Sequence, residues 1–240
     1  MLQRSEMTME NLRVNEGKEC VRTVDGVAYE RYAIQTHVIT RDDNIIDVVK
    51  KYALPNMQAG DILFMSEKAV ACTQNRAIPM DEIHPRLLAR FLVKFVYRSP
   101  HGLGRTLPET MEITLQQAGT PRILFAAFCS AIGKLFHKRG IFYAIAGEAV
   151  RAIDGPCPGA LPPMDRCVTL GPEDPQKVSK EIAQAIGHDV AIIDANDLSI
   201  EILGFSGKKK LNSTLAEALR DNPLGQGREC TPMGILRKVQ

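Results

Sequence analysis

Residues 174–203 read DPQKVSKEIAQAIGHDVAIIDANDLSIEIL, and this stretch decides the fold class. Asp174 followed by Pro175 is a helix start, an acid at the cap and proline at the first helical position. Val178, Ile182 and Ile186 then recur at helical spacing, and Gly187 ends the helix. Val190–Asp194 and Leu198–Leu203 are short β-rich runs, and Ala195-Asn196-Asp197 between them predicts a hairpin. A helix feeding an antiparallel strand pair points to an α+β protein with a mixed sheet and packed helices.

Working outward toward the N-terminus, Gly60-Asp61 predicts a turn that launches Ile62–Ser66, an apolar run suited to a buried strand. Before it, Arg31–Ile39 is β-rich, and Asp42-Asp43 offers caps for a helix carrying Ile45, Ile46, Val48, Val49 and Tyr52, stopped by Pro55. Three helices are expected over Pro85–Val96, Pro108–Gln117 with Thr106 as cap, and Pro121 to about Phe136. The third is apolar almost all round, which predicts a buried helix. Gly140–Ala146 reads as a core strand, and Ala152–Pro163 as a long irregular loop holding four of the 14 prolines. Toward the C-terminus follow a Gly204–Gly207 turn, the cationic run Lys208–Lys210, a helix over about Ser213–Arg220 and a glycine-rich loop. Residues 1–28 show no sustained period and are expected as an arm, with a single domain over 29–240.

The chain has 240 residues, 45% of them hydrophobic and 24% charged, with 30 basic and 28 acidic side chains. That is the composition of an ordinary globular protein, and a net +2 is far below what a phosphate-neutralising nucleic-acid binder carries. Neither nucleic acid nor a membrane is expected as a partner, since no apolar run reaches the roughly 20 residues of a span. The N-terminal residues mix charges without a secretory core, so a cytoplasmic location is expected. Six scattered cysteines without a CxxC pair read as free thiols.

Asp154, Asp174, Asp194 and Asp197 all fall at strand ends or in adjacent loops, where carboxylates can converge on a hard cation. Asp174 and Asp197 are better accounted for as a cap and a turn residue. Gly204–Lys210 and Gly225-Gln226-Gly227-Arg228 each pair backbone freedom with positive charge, as a phosphate cradle does. The first lacks the glycine spacing of a P-loop, and a lysine run also serves as a solvated face. No G-x-S-x-G elbow or metal-spaced histidine pair is present.

Several fragments together resemble the γ-glutamyl ligases that attach L-glutamate to the deazaflavin coenzyme F-420. They are Ala33–Thr40, Gly60–Ser66 continuing to Arg76, Ala152-Ile153-Asp154, Leu170–Pro175, Val190–Asn196, and Gly225–Gly227 with Thr231-Pro232. The resemblance implies an α+β fold, a homodimer, Mg²⁺ or Mn²⁺, and GTP (or ATP) as cosubstrate. It implies amide formation between a carboxylate acceptor, such as coenzyme F-420-0, and L-glutamate or a related amino acid, through an acyl phosphate. Carried over by position, Asp154, Asp194 and Gln226 correspond to metal ligands, and Gly225, Gln226 and Gly227 to the nucleotide site; Lys208, from the cationic run after a glycine turn, is added to that site as a source of positive charge. The sequence departs from the family where Cys72 stands in place of a lysine, which makes nearby Lys68 the candidate catalytic cation, and at Ala195 and Asp197. Two other readings stay open: a non-catalytic nucleotide- or ligand-binding protein that keeps the fold, and a metal-dependent phosphohydrolase.

Overall fold

The computed structural model describes residues 11–95, 107–137, 140–157, 159–196 and 199–239. The chain divides into two compact units, one formed by residues up to 75 together with those from 172 on, the other by 76–171. The sequence marks neither boundary with a linker.

The larger unit is built on a mixed sheet. Its strands are β1 (Leu12–Arg13), β2 (Val21–Val24), β3 (Val27–Ile34), β4 (Ile62–Ser66), β7 (Asp189–Ala195), β8 (Ile200–Phe205) and β9 (Met233–Lys238). The order is β1-β3-β9-β4-β7-β8, with β2 also paired to β3. β4 and β7 run parallel, with Ser66 opposite Ile193, whereas β9 is antiparallel to both β3 and β4. Leu63, Phe64 and Met65 are all fully buried, as a strand covered on both faces requires. On one face, Phe64, Ala191, Ile193 and Leu236 pack with Leu215, Ala218 and Leu219 of the helix Asn212–Ala218 or just beyond it. Gly234 in β9 is obligatory, because a Cβ there would overlap both the Phe64 ring and the Tyr32 carbonyl.

The helix Pro175–Ile186 begins after Asp174 and ends at Gly187 with φ +75°, as expected from sequence. Asp174 does not cap with its side chain: it takes a left-handed φ of 43°, and its carbonyl receives the Lys177 and Val178 amides. The helix Ile45–Tyr52 is capped by Asn44, whose Oδ1 accepts from the Ile46 amide, and not by Asp42 or Asp43. Asp43 is drawn away by the Thr40 amide (2.8 Å) and His37 Nε2 (2.8 Å).

One expectation is corrected here, and one strand is added. Residues 11–28 are no arm, since β1 and β2 pair with β3; residues 1–10 lie outside the described residues. β9, central in the sheet, went unread because Met233–Leu236 is too short a run to distinguish from loop. Thr106 and the Asp197-Leu198 part of the hairpin turn also lie outside the described residues, although β7 and β8 pair antiparallel as expected.

The smaller unit holds a two-stranded pair, β5 (Ala77–Pro79) and β6 (Cys167–Thr169). Its helices are α3 (Leu87–Leu92, continued by a 3-10 turn over Val93–Phe95), α4 (Pro108–Ala118), α5 (Thr120–Leu135), α6 (Ile141–Ala146) and α7 (Glu148–Arg151), following α1 (Ile45–Tyr52) and α2 (Glu67–Thr73) in the larger unit. Pro175–Ile186 and Asn212–Ala218 are accordingly α8 and α9. Residues 141–146 form a helix, not the expected strand: a six-residue apolar run does not declare its period, and the left-handed Gly140 (φ 84°) here opens a helical turn. Nor is α5 buried all round. Ile123 and Ala126 face the core with Met111 and Leu115, while Phe125 and Phe128 face solvent.

Candidate functional site at the carboxyl end of the parallel strand pair

Ligands in sheets with parallel strands bind where those strands end, because the loops leaving them are free to converge. At this end β4 passes into Ser66, whose hydroxyl accepts from the Lys68 amide (3.3 Å) and starts α2. Lys68 is exposed in the first turn of α2, while Cys72, one helical turn later on the same side, is only 5% exposed. A lysine at position 72 would have to thread its ammonium out of a packed interior, whereas Lys68 carries its charge at the surface. The Ser66 amide donates to the Pro232 carbonyl (2.8 Å), which brings the loop before β9 to the same place.

That loop is held from several sides. Asn15 Nδ2 donates to the Pro223 carbonyl (3.0 Å) and to Thr231 Oγ1 (2.9 Å), and Thr231 Oγ1 donates to the Leu224 carbonyl (2.7 Å). Asn222 Nδ2 closes a turn on the Gly225 carbonyl (3.0 Å), and Gly225 has φ +74°. The Glu229 carboxylate lies where Cβ atoms on Gly225 and Gly227 would sit, at 3.0 to 3.2 Å from the first and 2.9 Å from the second. Gly225 is favoured there by its positive φ, and both glycines leave room for the Glu229 carboxylate. Burial pushes the Cys230 thiol up from its ordinary value, which disfavours a nucleophilic thiolate near neutrality.

β7 ends at the same place, and of the expected site residues the structure brings Lys68, Asp194 and the Gly225–Gly227 loop to this end of the sheet. Asp194 is half-buried near the strand's tip. Gln226 Nε2 reaches the Ala195 carbonyl at 3.5 Å, the limit of hydrogen-bonding distance. Asn196 Oδ1 accepts from the Ser199 amide (2.9 Å) and so closes the hairpin turn. β3 ends here too: the Thr36 amide donates to the Cys230 carbonyl, and His37 stands between Asp43 and the Tyr52 hydroxyl (Nδ1 to OH, 3.0 Å). The Thr40 amide, with His37 assisting, holds the Asp43 carboxyl below its ordinary range.

Lys208 goes elsewhere. It follows Ser206, whose amide donates to the Val190 carbonyl and whose hydroxyl accepts from the Val190 amide (2.8 Å), at the beginning of β7. That is five residues from Asp194, roughly 16 Å along the strand. A groove of about 550 Å³ lined by Gly60, Asp61, Gly187, His188, Asp189 and Ser206 also lies at this opposite end. Asp154 belongs to the smaller unit, where its backbone exchanges two 2.8 Å hydrogen bonds with Thr169 after the buried Ile153.

Asp194 and Gln226 offer the oxygen donors that Mg²⁺ or Mn²⁺ takes. Among the described residues no three His, Cys, Asp or Glu side chains form a metal cluster. An ion held here would complete its shell with substrate phosphates and water, the usual habit of Mg²⁺. Glu229 and His37 at this end of the sheet were not singled out from sequence, and Asp43 was read only as a helix cap. The one signal for Glu229 was an acid two residues past a Gly-x-Gly.

An α+β sheet with polar loops gathered where its parallel strands end defines a ligand-binding or catalytic scaffold. The chain belongs to the F420-0:gamma-glutamyl ligase family, whose model matches residues 33–200, more than two thirds of its length. The matched span includes Lys68, Asp154 and Asp194 and stops short of Lys208 and Gln226. No curated protein matches the chain.

Proposed function

We propose that this ligase is metal- and nucleotide-dependent and joins L-glutamate, or a related amino acid, to a carboxylate acceptor such as F-420-0. The observation that supports this most is the convergence of Lys68, Asp194 and the Gly225–Gly227 loop at one end of the sheet. In this reading the acceptor carboxylate attacks the terminal phosphorus of GTP or ATP, and the nucleoside diphosphate leaves. The glutamate amine then attacks the acyl phosphate carbon, gives up a proton, and expels inorganic phosphate. Asp194 and Gln226 would hold the divalent ion. When bound, the ion neutralises charge on the phosphates. Backbone amides of Gln226 and Gly227 would orient the phosphates, and the Lys68 ammonium would stabilise the charge that develops during transfer.

The departure at Cys72 favours one other reading, a binding protein without turnover. Nucleotide consumption separates the two. The ligase hydrolyses GTP or ATP to diphosphate and phosphate only when an acid and an amine are both supplied, and yields the amide stoichiometrically. Metal-dependent nucleotide binding with no consumption under any acid–amine pair would establish the binding protein. Phosphate release without an amine would establish a phosphohydrolase.

A further inference from the structure

Asn222 lies just after α9, where the loop before β9 begins, and is 2% exposed. Its backbone is left-handed, with φ +51°, and is fixed on both sides: its amide donates to the Leu219 carbonyl (2.8 Å) and its carbonyl accepts from the Gly225 amide (3.1 Å). The carboxamide answers that second bond, since Nδ2 donates to the Gly225 carbonyl (3.0 Å), and it also reaches the Ala195 carbonyl at 3.5 Å, the limit of hydrogen-bonding distance. Its Oδ1 is buried and has no hydrogen-bond partner among the described residues. Burying an acceptor without a donor costs free energy, and glycine would take the same φ without that cost. What the carboxamide adds is the pair of contacts made by Nδ2.

Those contacts fall beside the two expected ligands. Ala195 directly follows Asp194, and Gly225 directly precedes Gln226. The Ala195 carbonyl also receives Gln226 Nε2, which leaves Oε1 as the end of that side chain able to offer an oxygen to a cation. One buried amide therefore spans the backbone next to each side chain that would hold the divalent ion. We propose that Asn222 is a positioning residue whose carboxamide sets the spacing between Asp194 and Gln226. This rests on the ion site of the proposed ligase reading and adds to it a residue that acts through the two ligands. Losing a group that orients metal ligands costs about 10- to 100-fold in metal affinity.

The test titrates Mn²⁺ into the full chain and follows the loss of the free-ion signal by electron paramagnetic resonance, with thermal unfolding recorded on each protein. Asn222→Gly, which keeps the left-handed turn, and Asn222→Ala should each raise the Mn²⁺ dissociation constant at least about tenfold. Asn15→Ala is the control: it removes two hydrogen bonds from the same loop, at the Pro223 carbonyl and Thr231 Oγ1, without touching the backbone beside Asp194 or Gln226. It should lower the unfolding midpoint and leave the Mn²⁺ constant within about twofold. Folded Asn222 variants that bind Mn²⁺ like the parent would overturn the proposal and leave the ligase reading standing. So would an Asn15→Ala loss as large as theirs, since Asn222 would then act only through loop stability. A parent chain that binds no Mn²⁺ would overturn both.

Discussion

The two ends of the parallel pair β4–β7 are built from the same strands and carry different polar contacts. At the beginning of the strands, Asp61 is paired bidentately with Arg237 (2.9 and 2.7 Å), and Arg237 also donates to the Asn56 carbonyl. Both partners spend their hydrogen-bonding capacity on the fold. At the carboxyl end, loops from four distant parts of the sequence meet: Thr36–Asp43, Ser66–Lys68, Asp194–Asn196 and Gly225–Pro232. Lys68, Asp194 and Gln226 there are exposed or half-buried, while Thr36, Glu67 and Thr231 beside them are buried. The groove beside Asp61 and Asp189 lies at the beginning of the strands, among groups already committed to one another.

The sharpest break of this comparison is in activity. Asp194→Asn should lower turnover at least 100-fold in an acid- and amine-dependent nucleotide assay, with little change in unfolding midpoint, whereas Lys208→Ala at the opposite end should stay within about twofold. Equal losses from both would show that the two ends are not functionally distinct. Next is Lys68→Met, expected to cut kcat about 100-fold, the scale of losing one charge-stabilising donor.

Stability should show the reverse pattern. Asp61→Asn leaves Arg237 with a weakened partner at a site where the carboxyl is 2% exposed, and should destabilise by about 3 kcal/mol in denaturant titration while nucleotide binding is kept. Asp221→Asn should act similarly, since it removes the counter-ion of Arg31, which is 1% exposed and also bonded to the Ala218 carbonyl (3.0 Å).

The smallest effect concerns pH. The Asp43 carboxyl is held below its ordinary value, so it contributes stability at pH values above that of an unfolded aspartate, about 3.9. This contribution is lost as pH falls through the lower folded value. Asp43→Asn should therefore cost less than about 1 kcal/mol at neutral pH, as its side chain is partly exposed, and the gap to the parent should close in acid. A gap that widened in acid would contradict the assignment.

What could be read from sequence was what local pattern dictates. The runs Ile62–Ser66 and Val190–Asp194 declared buried strands, and Val178, Ile182 and Ile186 with Gly187 declared α8. Positions set by long-range pairing were not legible. β9 is a central strand only because β3 and β4 flank it, and its Gly234 exists to admit Phe64. Val21–Val24 pairs with β3 through a turn at Asp25 and Gly26, both at positive φ, that no apolar alternation announces. The site was legible in its parts: Lys68, Asp194 and Gln226 were singled out, and the fold brings their segments to one end. Lys208 was grouped with them because charge next to glycine resembles a phosphate cradle in sequence, and only the direction of β8 shows that it lies at the other end. Glu229 was missed because its role depends on loop closure.

The most direct measurement of the central claim is calorimetric titration of GTP and of ATP into the purified protein with and without Mn²⁺, run in parallel on Asp194→Asn and Lys208→Ala. The account predicts metal-dependent binding of one nucleotide that Asp194→Asn abolishes and Lys208→Ala keeps. Binding that survives Asp194→Asn and is lost in Lys208→Ala, or no nucleotide binding under any condition, would contradict it.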